Sequence, residues 1–315
     1  MLSQKALDTS LPRLLVFGEA LTDFVRSETA TWHSVAGGSC WNVARVCATL
    51  GVKTGWAGAL SSDLFGQEIV VLSQQAGLDA RFIQVVDKPP LIAMVHQTSP
   101  PDYFFLGTDT ADLAFDPEQL PPGWEKACEI AHFGCISLVR EPLGARLVDI
   151  ARRLRRGGAK ISFDANYRNL MGPDYPAFFE DMARHADIVK VSDEDLTRIY
   201  PGRAVTDSVA ALRTLTPGLV LLTCGSAGLT LWDGHTRIEQ PAITVDVADT
   251  VGAGDACIGG FLASLSSMPE RTLSDHLRFA AATASTVCMR AGAYAPSHAE
   301  VESLLASSAV RELQT

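Results

Sequence analysis

Asp249-Thr250-Val251-Gly252-Ala253-Gly254-Asp255-Ala256 (DTVGAGDA) is the stretch on which the reading of this chain turns. Two glycines flank one alanine, so the backbone can bend sharply and gather several N–H groups at a common point. The run from Ala256 to Leu265, rich in Ala, Gly and Phe, then reads as the opening turns of a buried helix. A glycine loop that opens a helix favours anions, because unpaired N–H groups and the helix dipole both present positive charge there. Asp255 stands at that positive end, where its carboxylate can take a proton from a hydroxyl attacking a phosphate held by the loop. Read alone, the octapeptide fits equally a phosphoryl-transfer site and an ordinary glycine turn capped by an Asp.

A second glycine motif lies near the N-terminus, Gly37-Gly38-Ser39-Cys40-Trp41-Asn42-Val43-Ala44. DTVGAGDA, followed by Gly259-Gly260-Phe261, resembles the C-terminal motif of the PfkB, or ribokinase-like, sugar kinases. The Gly-Gly pair with Asn42 behind it resembles that family's other motif, and the two stand in the family's order. The resemblance implies an α/β fold: a mostly parallel central sheet with helices on both faces, plus a small β-strand lid. It implies one kinase domain over residues 1–315, with lid strands from about 22–35 and 91–106. It also implies transfer of the γ-phosphoryl group of ATP to a sugar hydroxyl, with Asp255 as general base and the N–H groups of Gly252, Ala253 and Gly254 cradling the transferred group.

Composition agrees with an enzyme of small molecules. A chain of 315 residues can bury a large core. Its net charge of −10 argues against a nucleic-acid or anionic-membrane surface. No apolar stretch approaches the roughly 20 residues of a membrane span. The opening MLSQKALDTS lacks the pattern of a secretory signal, so a cytoplasmic protein is expected. The 7 cysteines are scattered without a CxxC pair, which points to reduced thiols rather than disulfides or zinc.

Strand-like and helix-like runs alternate along the chain. Leu14 to Gly18, Ile130 to Ile136, Lys160 to Asp164, Ile188 to Val191 and Leu219 to Thr223 read as buried strands, and Asn42 to Leu50 as a helix ended by Gly51. This alternation implies a parallel sheet that binds ligands at the carboxyl ends of its strands, where Asp164, Ser192 and Gly225 fall. Thr22 to Val35 and Leu91 to Leu106 break the rhythm and read as antiparallel strands outside the sheet.

The resemblance assigns further roles. Asp23, at the end of Gly-Glu-Ala-Leu-Thr-Asp (Gly18 to Asp23), would accept from two sugar hydroxyls, with Gly37, Gly38 and Asn42 beside it. Phe104, Phe105 and Asp109 would close over the sugar from the lid. In Phe163-Asp164-Ala165-Asn166-Tyr167-Arg168, Asn166 and Arg168 would meet substrate, Arg168 pairing with a phosphate or a carboxylate. Lys190, Thr223, Gly225, Gly228 and Thr250 would serve ATP, with adenine between the Thr223–Gly228 loop and a helix near Arg278 to Met289.

Magnesium is implied by the ATP chemistry. The family's NxxE segment is altered here to Ser192-Asp193-Glu194-Asp195, which leaves the metal contact to Glu194 or Asp195, or makes both of them helix N-terminal carboxylates favoured by the dipole. In some relatives a K⁺ site corresponds to the loops Val245 to Asp249 and Cys288 to Gly292. His132 to Pro142 (HFGCISLVREP), FDANYR and KVSDEDL together look most like bacterial fructokinases, so fructose phosphorylated at O6 is the expected product. The rival sugar is 2-keto-3-deoxygluconate, and a rival class is a sugar- or nucleotide-sensing protein without turnover. A homodimer through the lid is the expected assembly, with a small-molecule sugar as partner, no nucleic acid and no membrane.

Overall fold

The computed structural model describes residues 11–26, 31–98 and 101–312. The N-terminal decapeptide, lid positions 27–30 and Pro100 lie outside the described residues. In chain order the first elements are β1 (Leu14–Phe17), β2 (Leu21–Arg26), β3 (Trp32–Gly37), α1 (Ser39–Thr49), β4 (Thr54–Ser61) and α2 (Leu64–Ala76). There follow β5 (Ile83–Val86), β6 (Ile92–Thr98), β7 (Pro101–Leu106), α3 (Trp124–Ala127), β8 (Ile130–Gly134), α4 (Leu143–Arg156) and β9 (Lys160–Asp164). The next are α5 (Tyr175–His185), β10 (Ile188–Ser192), α6 (Asp193–Ile199), α7 (Val205–Leu215) and β11 (Leu219–Thr223). The chain closes with β12 (Leu229–Asp233), β13 (Thr236–Gln240), α8 (Ala253–Ser267), α9 (Leu273–Cys288) and α10 (His298–Glu312).

The main sheet has 9 strands in the order β13-β12-β11-β10-β9-β8-β1-β4-β5. From β11 to β5 every pairing is parallel, as the alternation predicts, and β12 and β13 add an antiparallel edge that the sequence reading did not anticipate. Alternate residues of each strand feed opposite cores. Leu15 and Phe17 enter one core, where Phe17 stacks on Phe133 at 4.9 Å, while Leu14 and Val16 enter the other beneath α1, α8 and α9. Two-sided burial explains why these strands read as unbroken apolar runs.

The predicted helix at 42–50 begins earlier, at Ser39, and the one at 278–289 begins at Leu273. The predicted strand from Ile130 to Ile136 ends at Gly134, after which Cys135–Val139 form a short 3₁₀ turn.

The lid is a second sheet of order β3-β2-β6-β7. It is not wholly antiparallel: β2 and β6 run parallel and join two antiparallel pairs. The register sets Val35, Asp23, Ala93 and Phe105 in one row across it, on the same face. Phe24, Met94 and Phe104 form the next row, on the opposite face.

Candidate active site

The carboxyl ends of β8, β9 and β10, the first turns of α1 and α8, and the lid row of Asp23 converge on one place. Helices α1 and α8 start alike, each on a glycine N-cap with positive φ (Gly38 at 113° and Gly252 at 79°) and neither with a side-chain cap. Of the three amides expected to face a phosphoryl group, that of Ala253 donates to Thr250 O at 3.1 Å. Those of Gly252 and Gly254 have no acceptor among the described residues. Uncapped amides at a helix start fit a phosphoryl group.

Asp255 is the centre of the site. It is 8% exposed and accepts from Ser39 Oγ at 2.7 Å and Asn42 Nδ2 at 2.9 Å. Burial pushes its carboxyl up, while these two hydrogen bonds and the charges of Lys190 and Arg168 pull it back toward ionisation. A carboxylate held by two donors and poised to gain a proton suits a general base. Ser39 carries no mark of its own in the sequence beyond its place inside the first glycine motif.

Asp23 sits on the site face of the lid. Burial raises its carboxyl to about 7, against the pull of Arg168. A Cβ on Gly37 would stand 2.3 Å from Asp23 Oδ2, so the glycine is what lets the carboxylate lie there. Phe105 shares that face, but it is Tyr103, stacked on Phe105 at 6.1 Å, whose ring lies 5.1 Å from the Arg168 guanidinium. Phe104 points the other way and is 59% exposed, and Asp109 pairs with Lys88 at the surface, so neither faces the site. Arg168 Nη1 donates to Asn166 Oδ1 at 2.7 Å and to Tyr167 O at 2.9 Å, which binds the two predicted side chains to each other.

One buried carboxylate and one buried pairing have no signal in the sequence. Glu19 is 1% exposed and accepts from Ser137 Oγ at 2.6 Å, and burial pushes its carboxyl up. Lys190 Nζ donates to Asp164 Oδ2 at 2.9 Å and Oδ1 at 3.1 Å, an ion pair closed off from solvent. Both residues were singled out in the sequence, but not as partners. Neighbouring strands β9 and β10 place them in register.

Asp195 accepts from Tyr167 N at 2.8 Å and Ser192 N at 3.0 Å, and its own amide is capped by Ser192 Oγ. It thus closes a capping box on α6 and pins the FDANYR loop. Glu194 beside it is exposed. Among the described residues no group of three or more His, Cys, Asp and Glu could hold a metal by itself. Thr223, Gly225 and Gly228 lie at the end of β11 and in the turn behind it, where Cys224 N donates to Gly228 O. The loops at 245–249 and 288–292 do meet: Ala248 N donates to Cys288 O at 2.8 Å, and Gly292 N to Asp249 Oδ2 at 2.9 Å. Among the described residues no helix is long and apolar enough to cross a membrane.

Comparison with known proteins identifies the family. The profile described as pfkB family carbohydrate kinase matches residues 11–300. The fructokinase of Rhizobium leguminosarum bv. trifolii is 31% identical over 80% of this chain and 79% of its own. The aminoimidazole riboside kinase of Salmonella typhimurium is 30% identical over 82% of each. Among solved structures, the fructokinase of Xylella fastidiosa with bound ATP superposes with a TM-score of 0.86 at 26% identity, covering 95% of this chain and 100% of its own. The chain therefore belongs to the pfkB family of carbohydrate kinases and is an ATP-dependent sugar kinase.

Proposed function

We propose that the acceptor is fructose, phosphorylated at O6, with Asp255 as the general base. The observation that carries the base assignment is the position of Asp255: it is buried at the uncapped start of α8 and gripped by Ser39 and Asn42. The sugar hydroxyl gives its proton to the Asp255 carboxylate as its oxygen bonds to the γ-phosphorus, and the bond to the β-phosphate oxygen breaks to release ADP. Free amides of Gly252 and Gly254, reinforced by the dipole of α8, stabilise the charge spread over the transferred group. Asp23, with Gly37, Gly38, Asn42, Asn166 and Phe105 around it, orients the sugar. Arg168 sets a fixed cation at its edge.

Thr223, Gly225, Gly228 and Thr250 form the nucleotide side. Magnesium, held mainly through phosphate oxygens and water with Glu194 or Asp195 as its carboxylate contact, would neutralise phosphate charge. The joined loops at 245–249 and 288–292 would seat a monovalent cation, K⁺.

Support for fructose comes from the fructokinases among the relatives, over 93–94% of this chain in plant examples from Zea mays and Arabidopsis thaliana. A second acceptor, aminoimidazole riboside, is favoured by the Salmonella relative. We further propose one kinase domain working in the cytoplasm, where seven free cysteines stay reduced. Its outer lid face, with Trp32, Phe104 and Leu106 exposed, would meet a second copy.

ADP release from ATP and Mg²⁺ should be measured with fructose, 2-keto-3-deoxygluconate, aminoimidazole riboside, ribose and no sugar. Fructose-dependent turnover supports the proposal. Turnover only with another acceptor keeps the mechanism and replaces the substrate. ATP binding without turnover on any of them favours a sensing protein.

A further inference from the structure

A buried ammonium is costly, and Lys190 is placed where the cost is greatest. Its side chain is 5% exposed, and it lies under the first turn of α8, the end of a helix whose dipole repels cations. A Cβ on Gly254 would stand 3.2 Å from Lys190 Nζ, so the anion loop rests almost directly on the ammonium. Asp164, wholly buried, holds that ammonium with both carboxylate oxygens. Buried ion pairs can often be replaced by apolar residues of similar volume without loss of stability, so stability alone does not account for this one. Deeper on the same face His132 is kept neutral, its imidazole pushed down to about 3 by burial and by Lys190, so it adds no second positive charge beneath the ammonium.

We propose that Lys190, clamped by Asp164, is a positioning residue of phosphoryl transfer: its ammonium lends fixed positive charge to the loop amides and to Asp255 from beneath, without touching either substrate. This rests on the kinase reading of the site, and it replaces the direct ATP contact that the sequence suggests for Lys190. Asp164, with Asp195 from the first turn of α6, sets how much of the charge reaches the loop. The charged groups that act on Asp255 are Lys190 from β10, Asp164 from β9, Arg168 from the loop after β9, Asp23 from β2, and Glu19 before β2. Lys190 and Arg168 are the cations among them, and both favour the ionised base.

The test compares Lys190→Met, Lys190→Arg and Asp164→Asn in the full chain. The Asp255 carboxyl is titrated by ¹³C NMR, assigned with Asp255→Asn, alongside kcat, ATP affinity and thermal stability. Lys190→Met is expected to raise the Asp255 titration and lower kcat by about 10²-fold, the scale set by one lost preorganised charge donor, with ATP affinity within about threefold. Asp164→Asn is expected to lower the Asp255 titration, and Lys190→Arg to stay near wild type.

Opposite shifts are the signature, because breaking a purely structural pair would harm both variants in the same way. Shifts in one direction, or none, overturn the proposal. Should Lys190→Met fail to fold, the downward shift in Asp164→Asn decides. A wild type that releases no ADP, yet shows opposite shifts, would sink the kinase reading and keep the electrostatic one.

Discussion

Asn42 Nδ2 donates to Asp255 Oδ2 across 2.9 Å, joining two residues 213 positions apart. Ser39 Oγ completes the grip on the other oxygen at 2.7 Å. The two glycine motifs are therefore one site: the first holds the carboxylate that the second presents.

Hydrogen bonds to a carboxylate stabilise its ionised form, and these two offset the upward push of burial on Asp255. Ser39→Ala is expected to raise the Asp255 pKa. The acid limb of kcat should then move upward by about one pH unit, since a hydrogen bond to a charged group is worth roughly 1.5–3 kcal/mol and a unit is about 1.4. A pH–rate profile of the variant checks this, and an unmoved acid limb would count against the grip.

Burial holds Asp23 at about 7 instead of 3.8, so the folded protein binds a proton more tightly than the unfolded chain. Its stabilising contribution is full below 3.8 and is lost as pH rises through about 7. Function runs the other way, because the ionised carboxylate is the better acceptor of sugar hydroxyls. The sugar KM should rise as pH falls below about 7, while Asp23→Asn should raise it at every pH and flatten the dependence. Initial rates from pH 5.5 to 8.5, with thermal melts across the same range, test both signs.

Gly37→Ala drives a methyl group to 2.3 Å from Asp23 Oδ2, and the carboxylate must move. A displaced contact to sugar should raise its KM by about tenfold or more, the worth of roughly one hydrogen bond to a charged group. The KM for ATP should change little. Equal effects on both would mean that the lid carboxylate does not read the sugar alone.

Arg140 is half-buried at the foot of β7, where it donates to Asp112 at 3.0 Å, Gly107 O at 2.8 Å and Thr110 Oγ1 at 2.8 Å. Arg140→Met strands a buried carboxylate and should cost about 3–5 kcal/mol of stability. Arg152→Ala breaks an ion pair whose two side chains are 49% and 46% exposed, and should cost about 1 kcal/mol or less. Urea unfolding of the two variants gives the contrast.

Much of this was legible in the sequence because the informative signals were local. Two-sided burial wrote Leu14–Phe17 and Leu219–Thr223 as apolar runs, and the glycine loop marked the start of α8. What stayed hidden depends on pairing between distant segments. Lys190 and Asp164 become partners only through the parallel register of β10 and β9. Glu19 meets Ser137 across 118 positions, without a pattern in either segment. In the lid, period-two alternation allows two phases: the register turned Tyr103 and Phe105 inward and Phe104 out. For Asp195 the sequence left a metal contact and a helix-terminal carboxylate side by side, and the fold shows it closing the capping box of α6.

The central claim is that Asp255 is the base, and Asp255→Asn tests it most directly. The variant keeps the volume and a hydrogen-bonding side chain but cannot accept the proton. ADP release with fructose, ATP and Mg²⁺ is expected to fall by about 10²–10⁴-fold, with ATP affinity by calorimetry nearly unchanged. Turnover near the wild-type rate would contradict the assignment and require another group to take the proton.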